Sequence, residues 1–172
     1  TQWYDGPTVM EYLETVEVEA EDQSRSFRMP VQWVNRPNLD FRGFCGLIAS
    51  GTVSPGDKVR VLPGGRTSSV EKIVTWEGDL ELAGAGRSVT VTLTDEIDVS
   101  RGDVLVCTDN PCEEADQFQA RILWMNDDAM IPGRQYLFKS GTQSTTLTLG
   151  HLKYRIDVNT LDHLPSKILE LN

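Results

Sequence analysis

A chain of 172 residues with 39% apolar and 24% charged side chains has room for one ordinary globular domain or two small ones. Its formal net charge of −10 argues against a sequence-independent nucleic-acid binder, which needs Lys and Arg to neutralise phosphates. No apolar run approaches the roughly 18 residues of a membrane-spanning helix, so no membrane partner is expected. The opening Thr1-Gln2-Trp3-Tyr4-Asp5 has neither the basic nor the apolar region of a signal peptide, nor an initiator Met, and predicts an excised fragment.

Residues 7–17 read as a helix. Pro7 suits a first turn, and Val9, Tyr12, Leu13 and Val16 recur at helical spacing, with Glu11, Glu14 and Glu17 on the wet face. The acidic stretch 17–22 reads as an exposed linker. From residue 27 to 106 every periodicity is of the β type. A short apolar run around Val31 and Trp33 breaks at Pro37. Residues 41–50 form the next segment, where Gly43 and Gly46 admit a bulge or a close backbone approach. The turn Ser54-Pro55-Gly56-Asp57 closes it. Residues 58–62 alternate and end at the hairpin signal Pro63-Gly64-Gly65. Residues 67–76 carry Val70, Ile73 and Val74, residues 88–93 alternate Val and Thr, and residues 104–106 follow the turn Arg101-Gly102-Asp103. Short β segments at near-regular spacing, with no helix among them, predict a small closed barrel.

Asn110-Pro111-Cys112-Glu113-Glu114 is polar, carries a proline and marks the domain boundary. Beyond it, residues 117–125, 134–139 and 145–156 are predicted to supply strands, and Pro132-Gly133 a turn. Residues 161–171 read equally as turn or strand. This second half is thin for an independent core.

Few residues carry chemistry. No GxxxxGK[ST] run exists, and Gly64-Gly65 and Gly84-Ala85-Gly86 read as turns rather than phosphate-cradling loops. His151 and His163 are the general-base candidates near neutral pH, and structural roles are expected for both, His163 as a backbone cap in its turn. Asp95, Glu96 and Asp98 could hold a metal, against the plainer reading of a solvated loop. Cys45, Cys107 and Cys112 have no CxxC spacing and fit a reducing cytoplasm, with Cys45 and Cys107 expected as small buried hydrophobes. No catalytic, cofactor-binding or metal-binding residue is predicted.

The run Asn35-Arg36-Pro37-Asn38-Leu39-Asp40-Phe41-Arg42-Gly43 differs in kind. Asn35, Arg36, Asn38, Asp40, Phe41 and Arg42 together form a candidate partner interface, since arginine suits bidentate contacts and a neighbouring aromatic adds contact area. The alternative is structural: Arg36–Asp40 or Arg42–Asp40 pairs hold the turn.

The order of glycines and turns resembles the second β-barrel domain of translation-factor-like GTPases. The 35–43 loop, with Phe27-Arg28-Met29-Pro30-Val31-Gln32, Ile48-Ala49-Ser50-Gly51, Asp95-Glu96-Ile97-Asp98-Val99-Ser100-Arg101-Gly102-Asp103 and Ile156-Asp157-Val158-Asn159-Thr160-Leu161, narrows the likeness. It is to the GTP-binding large subunit of bacterial sulfate adenylyltransferase. The resemblance implies an all-β fold: a translation-factor-type domain 2 barrel followed by a truncated domain 3 barrel, with a short N-terminal helix. Residues 1–24 would be the last helix and linker of a missing G domain, 25–110 domain 2, and 111–172 an incomplete domain 3. The parent would be a cytoplasmic enzyme of sulfate assimilation, holding GTP and Mg²⁺ in the missing domain. It would couple GTP hydrolysis to formation of adenosine 5′-phosphosulfate from ATP and sulfate on a separate catalytic small subunit. The segment itself would hold no cofactor; it would contact that subunit and transmit the GTPase switch. An incomplete domain 3 would expose a strand edge through which copies could associate. Two other readings stand beside this one: an RNA-binding barrel pair of an elongation-factor-like GTPase, which the charge opposes, and a small-molecule-binding β protein, which needs an apolar pocket.

Overall fold

Where Val, Ile and Phe stand at alternate positions, one face of a strand is apolar and must be covered. In the computed structural model, which describes residues 6–16 and 24–171, that alternation builds one large antiparallel sheet from the first half of the chain. Its strands are β1 (Arg28–Pro30), β2 (Trp33–Asn35), β3 (Gly43–Leu47), β5 (Lys58–Leu62), β6 (Thr67–Thr75), β7 (Gly78–Leu80), β9 (Ser88–Leu93) and β10 (Val104–Cys107). Their order is β1-β10-β5-β6-β9-β3-β2, with β7 alongside β6, while β4 (Thr52–Val53) and β8 (Ala83–Gly84) pair separately. The strands expected at 58–62 and 88–93 form with those bounds. Residues 41–50 shorten to Gly43–Leu47, and the small strands β4, β7 and β8 were not foreseen. β6 lies in the middle of the sheet and carries a register shift between Val70 and Lys72: it pairs β5 through Thr67–Ser69, β9 on both sides of the shift, and β7 beyond it.

The curled sheet wraps a core in which Met29, Val31, Ile48, Ile73, Val91 and Leu105 are fully buried. The expected closed barrel is not formed as an unbroken ladder. β1 instead meets the chain following β3 through a single bridge, Arg28↔Ser50, in which the Arg28 amide donates to Ser50 O at 3.0 Å and the Ala49 amide donates to Arg28 O at 2.8 Å. The bridge cannot lengthen, because β1 ends at Pro30, which has no N–H, and the other chain turns away at Gly51 with φ +70. Gly46 fulfils the expectation of close approach: a Cβ there would collide with the Pro30 carbonyl oxygen and sit 3.0 Å from Met29 Cγ.

The one helix among the described residues, α1 (Val9–Thr15), begins at a Thr8 N-cap rather than at Pro7. The Glu11 amide donates to Thr8 Oγ1 at 3.2 Å and the Thr8 amide donates to Glu11 Oε2 at 2.8 Å, a reciprocal box that holds the Glu11 carboxyl below its ordinary pKa. Glu11 is thus a cap, not merely part of a wet face. Val9, Tyr12, Leu13 and Val16 are exposed, so the apolar stripe covers nothing among the described residues. Glu17 and the acidic stretch to Asp22 lie outside them.

The second half is a hairpin of β11 (Gln135–Ser140) and β12 (Gln143–Thr148), a two-residue pair of β13 (Arg155–Ile156) and β14 (His163–Leu164), and a bridge Met130↔Leu169. Among the described residues no barrel forms here. The strand expected at 117–125 is absent because its backbone meets no partner strand; Phe118 instead stacks tilted on Phe138 at 5.6 Å. The hairpin tip docks on the first half, where Thr142 Oγ1 donates to Val31 O at 3.0 Å. Further on, Asp157 Oδ1 accepts from the amides of Asn159 and Thr160 at 2.9 and 3.2 Å, and the loop closes with Leu161 at φ +63.

Two outcomes follow from these contacts. Gly46→Ala should lower stability by about 1–3 kcal/mol in urea unfolding, while Gly64→Ala, with open space at its Cβ position, should stay within about 0.5 kcal/mol. The two amide hydrogen bonds lower the pKa of Asp157. The stabilisation they give is therefore complete above the ordinary aspartate value, about 3.9, and is lost as pH falls through the lower folded-state value. The amide shifts of Asn159 and Thr160, followed by NMR, should titrate with a midpoint below that of an ordinary aspartate.

Candidate functional site

The 35–43 run links β2 to β3. Asn35 closes β2 opposite Gly43, Pro37 stops the ladder, and Asn38 Oδ1 accepts from the Asp40 amide at 3.0 Å, a local turn that short polar side chains favour. Phe41 folds back over Gly43, whose missing Cβ would lie 2.8 Å from the Phe41 ring and collide with Thr90 Cγ2. The loop thus stands on a fixed base.

Its six candidate residues divide. Asn35, Phe41 and Arg42 are half-buried, and Arg36, Asn38 and Asp40 face solvent. Neither Arg36–Asp40 nor Arg42–Asp40 forms an ion pair among the described residues. Arg42 instead lies 3.6 Å from Asp98 and 5.5 Å from the centroid of the Phe44 ring. Leu39, which sequence reasoning passed over, is 85% exposed at the tip. An apolar residue between two turn-forming polar ones was the available signal.

The loop forms one rim of a groove of about 360 Å³. The opposite wall comes from β6, β7 and β9, through Glu71, Lys72, Val74, Asp79 and Thr92, with Asp95 and Glu96 at one end. These residues lie far away in sequence, so only strand pairing brings them to the loop. Lys72 pairs with Asp79 at 3.7 Å, and the Thr92 hydroxyl donates to Glu71 Oε2 at 3.2 Å.

The acidic cluster does not act as a unit. Asp95 accepts from the Ser68 hydroxyl at 2.8 Å, Asp98 pairs with Arg42, and Glu96 faces solvent. Among the described residues no three His, Cys, Asp or Glu side chains converge as a metal site. His151 is exposed, and His163 stacks on Tyr154 at 3.9 Å rather than capping a turn. All three cysteines are free and half-buried, less enclosed than expected for Cys45 and Cys107; Cys45 Sγ lies 3.3 Å from Thr90 Oγ1.

Comparison with known proteins is consistent along the chain. Residues 117–172 match the family described as GTP-eEF1A C-terminal domain-like. The whole chain is 47% identical to sulfate adenylyltransferase subunit 1 of Teredinibacter turnerae, covering 37% of that protein. It is 50% identical over 171 residues to the bifunctional enzyme NodQ of Rhizobium sp. strain N33, covering 99% of this chain and 26% of that one. The chain therefore spans between a quarter and two-fifths of the length of these curated relatives. Among solved structures, Sup35 complexed with GMPPNP superposes with a TM-score of 0.72 over 98% of this chain and 41% of that one, at 22% identity. That likeness shows a translation-factor-like fold.

Because the Asp98 side chain is 83% exposed, Arg42→Ala should cost no more than about 1 kcal/mol in chemical unfolding. Phe44→Ala, which empties the buried ring beneath it, should cost about 3–5 kcal/mol.

Proposed function

The chain is homologous over its full length to a segment of sulfate adenylyltransferase subunit 1, and we propose that it is the non-catalytic β portion of such a subunit. In this reading the whole protein couples GTP hydrolysis to formation of adenosine 5′-phosphosulfate from ATP and sulfate. This portion contacts the catalytic small subunit and passes the GTPase switch to it. The observation that carries the reading is identity of 45–50% along the entire chain to proteins of that kind.

The described residues do not suit GTP and Mg²⁺ themselves. Gly65 and Gly86 lie in turns between strands with φ +71 and +84, not ahead of a helix whose amides could cradle phosphate, and no carboxylates converge as metal ligands. GTP and its metal are accordingly assigned to a part of the whole protein beyond these residues. The contact is assigned to the 35–43 loop, where Arg36, Asn38, Leu39 and Asp40 stand exposed on a strand-anchored base. A backbone already held by strand pairing loses little further conformational entropy on binding. The RNA-binding alternative is disfavoured by the relatives' names and by the carboxylates around the same loop.

Calorimetric titration of the chain with the catalytic small subunit of sulfate adenylyltransferase tests this. Saturable 1:1 binding, weakened at least tenfold by the double change Asn38→Ala and Leu39→Ala, is expected. Absence of both heat and co-elution, with the chain shown folded by circular dichroism, would remove the contact from this segment.

A further inference from the structure

The groove beside the 35–43 loop has a charge pattern that specifies its occupant. Its walls carry the carboxylates Asp40, Glu71, Asp79, Asp95 and Glu96 against two bases, Arg42 and Lys72. Both bases are already engaged, Arg42 with Asp98 at 3.6 Å and Lys72 with Asp79 at 3.7 Å. Asp40, Glu71, Asp95 and Glu96 are left with no cationic partner among the described residues. A phosphate or carboxylate ligand would meet uncompensated like charge here, whereas a cation would be drawn in.

Carboxylates alone would describe a solvated surface. Here they surround a concave space lined by apolar groups: Leu39 is 85% exposed at the rim, Phe41 and Val74 are half-buried along the walls, and Phe44 closes the floor. Trp76 stands in the β6–β7 turn two residues beyond Val74 and is fully exposed, a residue type that anchors interfaces. The volume of about 360 Å³ lies in the range of ligand clefts, roughly 300–1,000 Å³.

We propose that this groove receives a polypeptide segment of the partner that alternates Lys or Arg with apolar side chains, its cations facing Asp40, Glu71 and Glu96 and its apolar groups facing Leu39, Phe41 and Val74. The proposal rests on the reading that the 35–43 loop is a partner contact, and it reverses the expected sign of that contact. The loop acts through its carboxylate and apolar members more than through Arg42, which is held by Asp98.

Two titrations in about 0.15 M salt, where the Debye length is about 8 Å, separate the proposal from the reading beneath it. The first uses a capped nonapeptide of three Lys-Leu-Ser repeats and its Glu-Leu-Ser counterpart. The cationic peptide should bind at least tenfold more tightly. The preference should vanish in the double variant Asp40→Lys and Glu96→Lys but persist in Glu113→Lys with Glu114→Lys, an equal charge change at exposed residues outside the groove. Equal binding of both peptides, or equal loss in both variants, would overturn the groove assignment. The second titration uses the catalytic small subunit. Binding that is unchanged by the Asp40 and Glu96 variant overturns the groove while leaving the partner reading intact. No binding by the unmodified chain, with the peptide preference present, overturns the partner reading and supports the groove. Asp40→Asn with Glu96→Gln, which removes charge without reversing it, should give an intermediate loss in both titrations.

Discussion

Around Arg28 the strand β1 is paired along both of its edges, and the first half of the molecule depends on that. One edge of β1 pairs with β10, placing Arg28 opposite Val106, while the other meets Ser50 through the amide of Arg28 and the carbonyl it offers to Ala49. Without the second set of bonds the path β1-β10-β5-β6-β9-β3 would be an open, curled sheet with one side of its apolar interior wet. With it, Met29, Val31 and Ile48 are sealed from water. The approach is permitted by glycine. At Gly51, with φ +70, a Cβ would lie 2.5 Å from both the Arg25 carbonyl oxygen and the Phe27 amide nitrogen. Burial of a large apolar side chain contributes about 1.5–3 kcal/mol, so a bridge of two residues secures far more than its own hydrogen bonds.

Legibility in the sequence followed the range of the interactions. The strands at 58–62 and 88–93 could be read because alternation and adjacent turn residues are local. The helix could be read from its period, though its true start required the Thr8–Glu11 reciprocity, a spacing of three visible in the sequence and passed over. The single bridge in place of full closure could not be read, since it depends on Arg28 and Ser50 meeting across intervening strands. Residues 117–125 failed for the opposite reason. Phe118, Ile122 and Leu123 look like strand material locally, but a strand exists only where another backbone pairs with it.

The candidate site divides along the same line. Its loop was evident as a composition without parallel elsewhere in the chain, and Gly43 as a position needing close approach. The wall facing it was not evident. Glu71, Lys72, Asp79 and Thr92 enter through the β6–β9 and β6–β7 pairings, and with them the sign of the site changes. In sequence the loop offers two arginines against one aspartate. In the fold, Asp98 takes Arg42 and the opposite wall adds carboxylates, so the surface that would meet a partner is acidic and apolar.

Loop and second half are joined through one short piece of chain. The Val31 carbonyl accepts both the Gly102 amide and the Thr142 hydroxyl, each at 3.0 Å, and the Val31 amide donates to Asp103 O at 2.8 Å. At Gly102, with φ +102, a Cβ would sit 2.8 Å from Gln143 Cγ, so the hairpin tip rests directly on this turn. From Val31 the chain runs through β2 to Asn35, where the loop begins. A displacement of the hairpin tip must either break the Thr142 hydrogen bond or carry Val31 with it, and Val31 is fully buried in a core that tolerates little movement. Packed interiors favour discrete arrangements over graded deformation. The short segment between β1 and β2 that seats the second half therefore leads straight into the strand from which the loop begins.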